Sequence, residues 1–177
     1  MSNEIIVGDW SILRRSYKTS PTEAKKPKQS KPRTRYVKPP ELVEFEREYN
    51  EAHALKFPKI PPECRARYTF SDKDANSLTR AIIAHLTFHG HFAARVNSTG
   101  VYDQRRGTWR TSNARRGLAD VTAVINGRSV QLEVKAGKDR PRTEQLRVRD
   151  EVQAAGGVYE FVHSFAEYVA IYKTLTT

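Results

Sequence analysis

Residues 117–137, GLADVTAVINGRSVQLEVKAG, decide how this chain is read. Asn126–Gly127 is the strongest short-range hairpin signal, because both residues tolerate the positive φ of a type I′ turn. With a two-residue loop, Ile125 faces Arg128. Counting outward sets Thr122 opposite Gln131 and Asp120 opposite Glu133. Opposed side chains in an antiparallel ladder have Cβ atoms about 4.5–5.5 Å apart, so the two carboxylates become neighbours. Lys135 lies two residues beyond Glu133 and returns to that face, while Val130, Leu132 and Val134 turn towards the core.

Two adjacent carboxylates repel, and a bare pair destabilises a ladder. A hard divalent cation such as Mg²⁺ removes that cost, using one or two carboxylates together with water and phosphate oxygens. The backbone carbonyl of Val134, between two site residues, is the natural extra ligand. Lys135 adds an amine able to hold or deprotonate a water, or to steady a phosphate oxygen. Such a set suits metal-assisted phosphodiester hydrolysis. The plainer reading is a solvent-facing salt-bridge cluster of little energetic worth.

The rest of the chain supplies context. Its 177 residues suggest one domain with polar extensions, and 31 Lys and Arg against 20 Asp and Glu give a formal charge of +11. That excess favours a polyanionic partner, nucleic acid before an anionic membrane surface. Cys64 is the only cysteine, so neither an intrachain disulfide nor a multi-cysteine zinc site can form. The opening residues do not read as a signal peptide, and no apolar run approaches a membrane span. The expected setting is therefore intracellular, cytoplasmic and away from membranes. No Gly-rich phosphate loop suggests ATP use.

Residues 1–40 read as a basic, flexible arm. Ten of its Lys and Arg fall between Arg14 and Lys38, with Glu23 the one acid and prolines at 21, 27 and 32. Residues 41–68 read as a short helix and a proline-rich linker, with Leu42, Phe45 and Tyr49 near one helical face. The sequence does not choose between docking of this helix on the main domain and pairing with a partner.

The compact domain is expected over 69–177. SDKDANSLTRAIIAHLTFHG predicts a helix capped by Asp or Asn, with a stripe through Leu78, Ile82, Ile83 and Leu86. HFAARV predicts a strand, NSTG a turn, and residues 103–116 a basic loop with five arginines and Trp109. After the hairpin, TEQLRVRDEVQAAGG predicts a helix with Thr143 as cap, a stripe through Leu146 and Val152, and a double-glycine stop. VYEFVH and SFAEYVAIYKTL supply a last strand and helix.

Residues 69–163 resemble the PD-(D/E)XK nuclease superfamily, most closely its VRR-NUC branch and more distantly the archaeal Holliday-junction resolvases. The resemblance rests on Gly117-Leu118-Ala119-Asp120, on Glu133-Val134-Lys135, on Gln145 in the following helix, and on Gly156-Gly157 before the last core strand. It implies an α/β, restriction-endonuclease-like core with a mixed central sheet flanked by helices. It also implies Mg²⁺- or Mn²⁺-dependent cutting of DNA. By the same resemblance Asp120 and Glu133 bind metal, Lys135 activates or orients the water, and Gln145 positions water or phosphate. Ala119 stands where the family has proline. The acid often present in its first core helix corresponds to Asp74 just before that helix, or to Asn76.

Arg105, Arg106, Arg110, Arg115 and Arg116, with Lys138, Arg140 and Arg142, are candidate phosphate contacts, joined further along by Arg147 and Arg149. Trp109 either packs under its own loop or stacks on an unpaired base. His85 and His89 share a helical face near His91, and are read as ordinary histidines rather than a zinc site. The expectation is thus a Mg²⁺-dependent DNA endonuclease, structure-specific on branched DNA, with nicking of duplex or end-specific action as alternatives and with a homodimer or a recruiting protein left open. A non-catalytic nucleic-acid-binding or assembly protein with the same fold, and an RNA nuclease, are the rival expectations.

Overall fold

The computed structural model describes residues 35–96, 101–110, 115–135, 137 and 139–177, without the side chains of Val101 and Arg110. Most of the expected arm, the NSTG turn and Lys138 therefore lie outside the described residues. Tyr36–Thr177 form one compact unit. In chain order its elements are α1 (Pro40–Lys56), a 3₁₀ turn (Pro62–Cys64), α2 (Ala75–Phe88), β1 (Phe92–Arg95), β2 (Val101–Asp103), β3 (Thr108–Arg110), β4 (Val121–Ile125), β5 (Arg128–Val134), α3 (Thr143–Ala154), β6 (Val158–Val162) and α4 (Phe165–Thr176).

The four-stranded sheet runs β1-β4-β5-β6. β1, β4 and β5 pair antiparallel, and β6 joins β5 in parallel after the α3 crossover, so the fold is α/β with a mixed central sheet flanked by helices. The β4–β5 register is the one the turn dictates, with Ile125 opposite Arg128 and Thr122 opposite Gln131. Asn126 and Gly127 both have positive φ, 48° and 77°, as a type I′ turn requires.

Strand alternation then divides the layers. Val121, Ala123 and Ile125 of β4, Val130, Leu132 and Val134 of β5, and Val162 of β6 enter one apolar core with α1, α2 and α4. On the other face, Tyr159 of β6 meets Ala119 and Val148 in a smaller cluster under α3. α2 begins where Asp74 accepts the amide N–H of Ser77, and Leu78, Ile82 and Leu86 bury its stripe. α4 is capped in the same way by Ser164, which accepts the N–H of Glu167.

Three expectations change. α1 lies inside the compact unit rather than ahead of it: Leu42 and Phe45 are buried, and Phe45 stacks on Phe165 of α4. Part of the arginine-rich stretch is a hairpin, since β2 and β3 form a separate two-stranded sheet. Thr143 is the first residue of α3 and Arg142 its N-cap; the cap hydrogen bond comes from Gln145, whose Oε1 accepts the Arg142 N–H.

Candidate active site

β4 begins at Val121, one residue after the position where Asp120 would extend the ladder. The Asp120 carbonyl still accepts the N–H of Val96 at 2.8 Å. Its side chain takes over on the other edge, where Oδ2 accepts the Val134 N–H at 3.0 Å. The carboxylate is thereby fixed at the end of β5. In an extended strand the N–H and C=O of one residue face the same neighbour, so the Val134 carbonyl is directed to the Asp120 side.

Glu133 and Lys135 stand on the α3 face of β5 and are almost wholly removed from solvent, at 5% and 1% exposure. Buried charges persist only when paired and hydrogen-bonded. The Lys135 Nζ donates to Gln145 Oε1 at 2.8 Å and to Asp139 Oδ2 at 3.4 Å, and it lies 3.1 Å from Glu133 Oε1 as an ion pair. Gln145 completes the cluster: its Nε2 donates to Glu133 Oε1, while its Oε1 accepts from Lys135 and from the Arg142 N–H. Only this amide orientation satisfies all three partners.

Burial pushes the Glu133 carboxyl above its ordinary value, and the nearby Asp120 charge adds to the rise; Lys135 and Gln145 offset part of it. Burial likewise pushes up the phenol of Tyr159, with Glu133 and Asp120 adding to the effect. The Tyr159 hydroxyl donates to the Gly117 carbonyl at 3.3 Å and holds the loop that leads into Asp120. Gly117, at φ 86°, presses against the first turn of α3, where a Cβ would come within 2.4 Å of the Glu144 carbonyl oxygen. Glycine is required here both by the close approach and by the left-handed conformation.

Gly117, Asp120, Glu133, Val134, Lys135 and Gln145 line a cleft of about 560 Å³, together with Arg116, Arg142, Asp139 and Glu144. Asp120, Glu133, Val134, Lys135 and Gln145 are thus brought together, with Arg116 and Arg142 beside them. Asp74 and Asn76 are not. Asp74 is spent on the cap of α2, and Asn76 Oδ1 accepts from Arg95 at 2.6 Å. Arg115 and Arg147 pair with Glu151, and Arg149 with Asp150. Arg140 is exposed, and Arg105, Arg106 and Trp109 sit on the separate β2–β3 hairpin. Trp109 is 72% exposed, so it does not pack under its own loop.

The sequence did not point to Asp139 or to the contact of Gly117 with α3. Asp139 follows Lys135 by four residues, but outside a helix that spacing carries no signal. His85 is a core residue rather than a ligand: its Nδ1 meets the Tyr168 hydroxyl at 2.9 Å, and burial with His89 and His91 nearby lowers its pKa to about 3.

The donor set is compatible with one hard cation. Among the described residues no donor reaches Asp120 Oδ1 or Glu133 Oε2, and the Glu133 carboxyl is raised first by burial and then by the Asp120 charge, the second of which a cation would offset. Among the described residues no group of three or more His, Cys, Asp and Glu could hold a metal by themselves, so a cation here would depend on the Val134 carbonyl and water. None of the described helices is long and apolar enough to cross a membrane. Comparison with protein-family models, with curated proteins and with solved structures finds no match.

Proposed function

We propose that the chain is a metal-dependent endonuclease of the PD-(D/E)XK type that hydrolyses phosphodiester bonds in DNA. The observation that carries the reading is the convergence of Asp120, Glu133, Lys135 and Gln145 in one cleft beside Arg116 and Arg142. Asp120 Oδ1, Glu133 Oε2 and the Val134 carbonyl would hold the cation. Bound there, Mg²⁺ or Mn²⁺ supplies positive charge to the scissile phosphate and lowers the pKa of water.

The chain's own residues do the rest. Arg116 and Arg142 seat the backbone phosphates at the mouth of the cleft. The Lys135 ammonium, held against Glu133, orients the attacking water or steadies a phosphate oxygen. Gln145 is a positioning residue, since every polar atom of its amide is spent on Glu133, Lys135 and the start of α3. Hydrolysis forms a bond from the water oxygen to phosphorus and breaks the bond to the 3′ oxygen, leaving a 5′-phosphate and a 3′-hydroxyl.

A non-catalytic nucleic-acid binder is favoured by a different observation: among the described residues, no group of three or more His, Cys, Asp and Glu could hold a metal. The two readings separate in a cleavage assay on linear duplex, single-stranded, flap and four-way-junction DNA, with single-stranded RNA alongside. Cutting in Mg²⁺ or Mn²⁺, absent in EDTA and reduced at least about 100-fold in Glu133→Ala and Lys135→Ala, is the expected result. Tight binding by folded wild-type protein with no cutting of any substrate would favour the binder. Cutting of RNA alone would replace DNA as the substrate.

A further inference from the structure

Among the described residues, no side chain of the β2–β3 hairpin contributes to either apolar cluster of the compact unit. Its strands pair with each other and not with the four-stranded sheet. An isolated two-stranded hairpin is marginally stable in water, and large aromatic rings normally serve to bury surface. Here the two rings remain outside: Tyr102 is 48% and Trp109 72% exposed. They are direct cross-strand partners, with centroids 5.5 Å apart and planes at 60°. The pair stiffens the hairpin while leaving most of the indole free.

At the tip, Asp103 Oδ1 accepts the N–H groups of both Arg105 and Arg106, at 3.0 and 3.3 Å, and Gly107 closes the turn at φ 62°. That anchor uses the arginine backbones and leaves both side chains exposed. Rigid aromatic rings beside guanidinium groups match the chemistry of a single nucleic-acid strand, in which phosphates alternate with flat bases. The chain's formal charge of +11 is complementary to that partner.

We infer that Trp109, braced by Tyr102, is a stacking platform for an unpaired nucleobase, and that Arg105 and Arg106 hold the adjoining phosphates. The inference rests on the nuclease reading for its nucleic-acid partner, and it narrows the substrate to one offering unstacked bases: a single strand, a flap or a junction. Bases within a continuous duplex are stacked on one another and present no free face.

The test measures binding of the full chain, in EDTA so that cutting does not intervene. Labelled single-stranded DNA, single-stranded RNA and duplex DNA of one sequence are compared at one salt concentration. Trp109→Ala is expected to weaken binding to both single strands by about tenfold, since stacking reads the base and not the sugar. Duplex binding should stay within about twofold, because phosphate contacts carry it. Trp109→Phe should retain most of the single-strand affinity. In a Trp10→Phe protein, the remaining indole emission should be quenched by single strands and not by duplex. Equal losses on all three nucleic acids, or no loss and no quenching, overturn the platform while leaving the nuclease reading intact. Failure of the wild-type chain to bind any of them removes both.

Discussion

On one face of the four-stranded sheet, β4 and β5 present Val121, Ala123, Ile125, Val130 and Leu132 to three helices, and Phe45, His85, Phe165 and Tyr168 fill the space beyond. On the other face, Gln145 of α3 and Asp139 meet Glu133 and Lys135, and among the described residues Ala119, Val148 and Tyr159 form the buried apolar rim. The first face gains from non-directional burial, where many contacts share each loss. The second depends on a closed circuit of charges and amides, in which each removed atom leaves a named partner bare. One pair of strands thus serves two purposes because its side chains alternate between them. The ionic face is the more brittle of the two.

The largest test of that contrast is Lys135→Met. It keeps the volume but leaves Glu133 buried beside Asp120 with no cation, and should cost about 3–5 kcal/mol at neutral pH in denaturant unfolding. The loss should shrink as the pH falls, because protonation of the already raised Glu133 carboxyl removes the uncompensated charge. Adding Glu133→Gln should restore most of the stability at neutral pH. A loss independent of pH and unchanged by the second substitution would show that the face is held by packing instead.

Gly117→Ala comes next. It forces a β-carbon into the Glu144 carbonyl at positive φ, with an expected cost of about 2–4 kcal/mol and a displaced Asp120. A thermal melt matching wild type would break the claim that this contact fixes the loop against α3.

On the apolar face, His85 provides the matching test. Its folded pKa of about 3 lies below the ordinary 6.5, so the unfolded chain binds the proton more readily. Its contribution is complete above pH 6.5 and is lost as the pH falls towards 3. Between pH 7 and pH 5 that amounts to about 2 kcal/mol, and His85→Phe should flatten the pH dependence of unfolding by that amount. The smallest effect belongs to the turn that joins the two strands. Asn126→Ala should cost about 1 kcal/mol, through strain at φ 48° and loss of the amide bond to the Leu175 carbonyl.

The sequence made the hairpin legible because two independent constraints agreed: the Asn126–Gly127 turn set the register, and period-two alternation set the faces. The grouping of Asp120, Glu133 and Lys135 followed from register alone. What covers them did not, since burial of Lys135 depends on where α3 lands, and Gly117 against Glu144 is a contact between distant segments. Leu42 and Phe45 announced a helical face for α1 but not its partner. The β2–β3 hairpin was hidden for another reason. Its strands are three residues long and sit in an arginine-rich stretch, too short for any alternation to show.

The packing of α1 against α4 has a consequence for the order of synthesis. Phe45 leaves the ribosome early and its stacking partner Phe165 late, so the apolar core cannot close until the chain between them has been made. Asp120, Glu133 and Lys135 emerge in that interval, on a sheet whose other face still lacks α4. Contacts so distant in sequence slow folding, and they also couple its completion to the last helix of the unit. The nascent chain would then carry the cleft residues for some time before it has the scaffold that holds them in register.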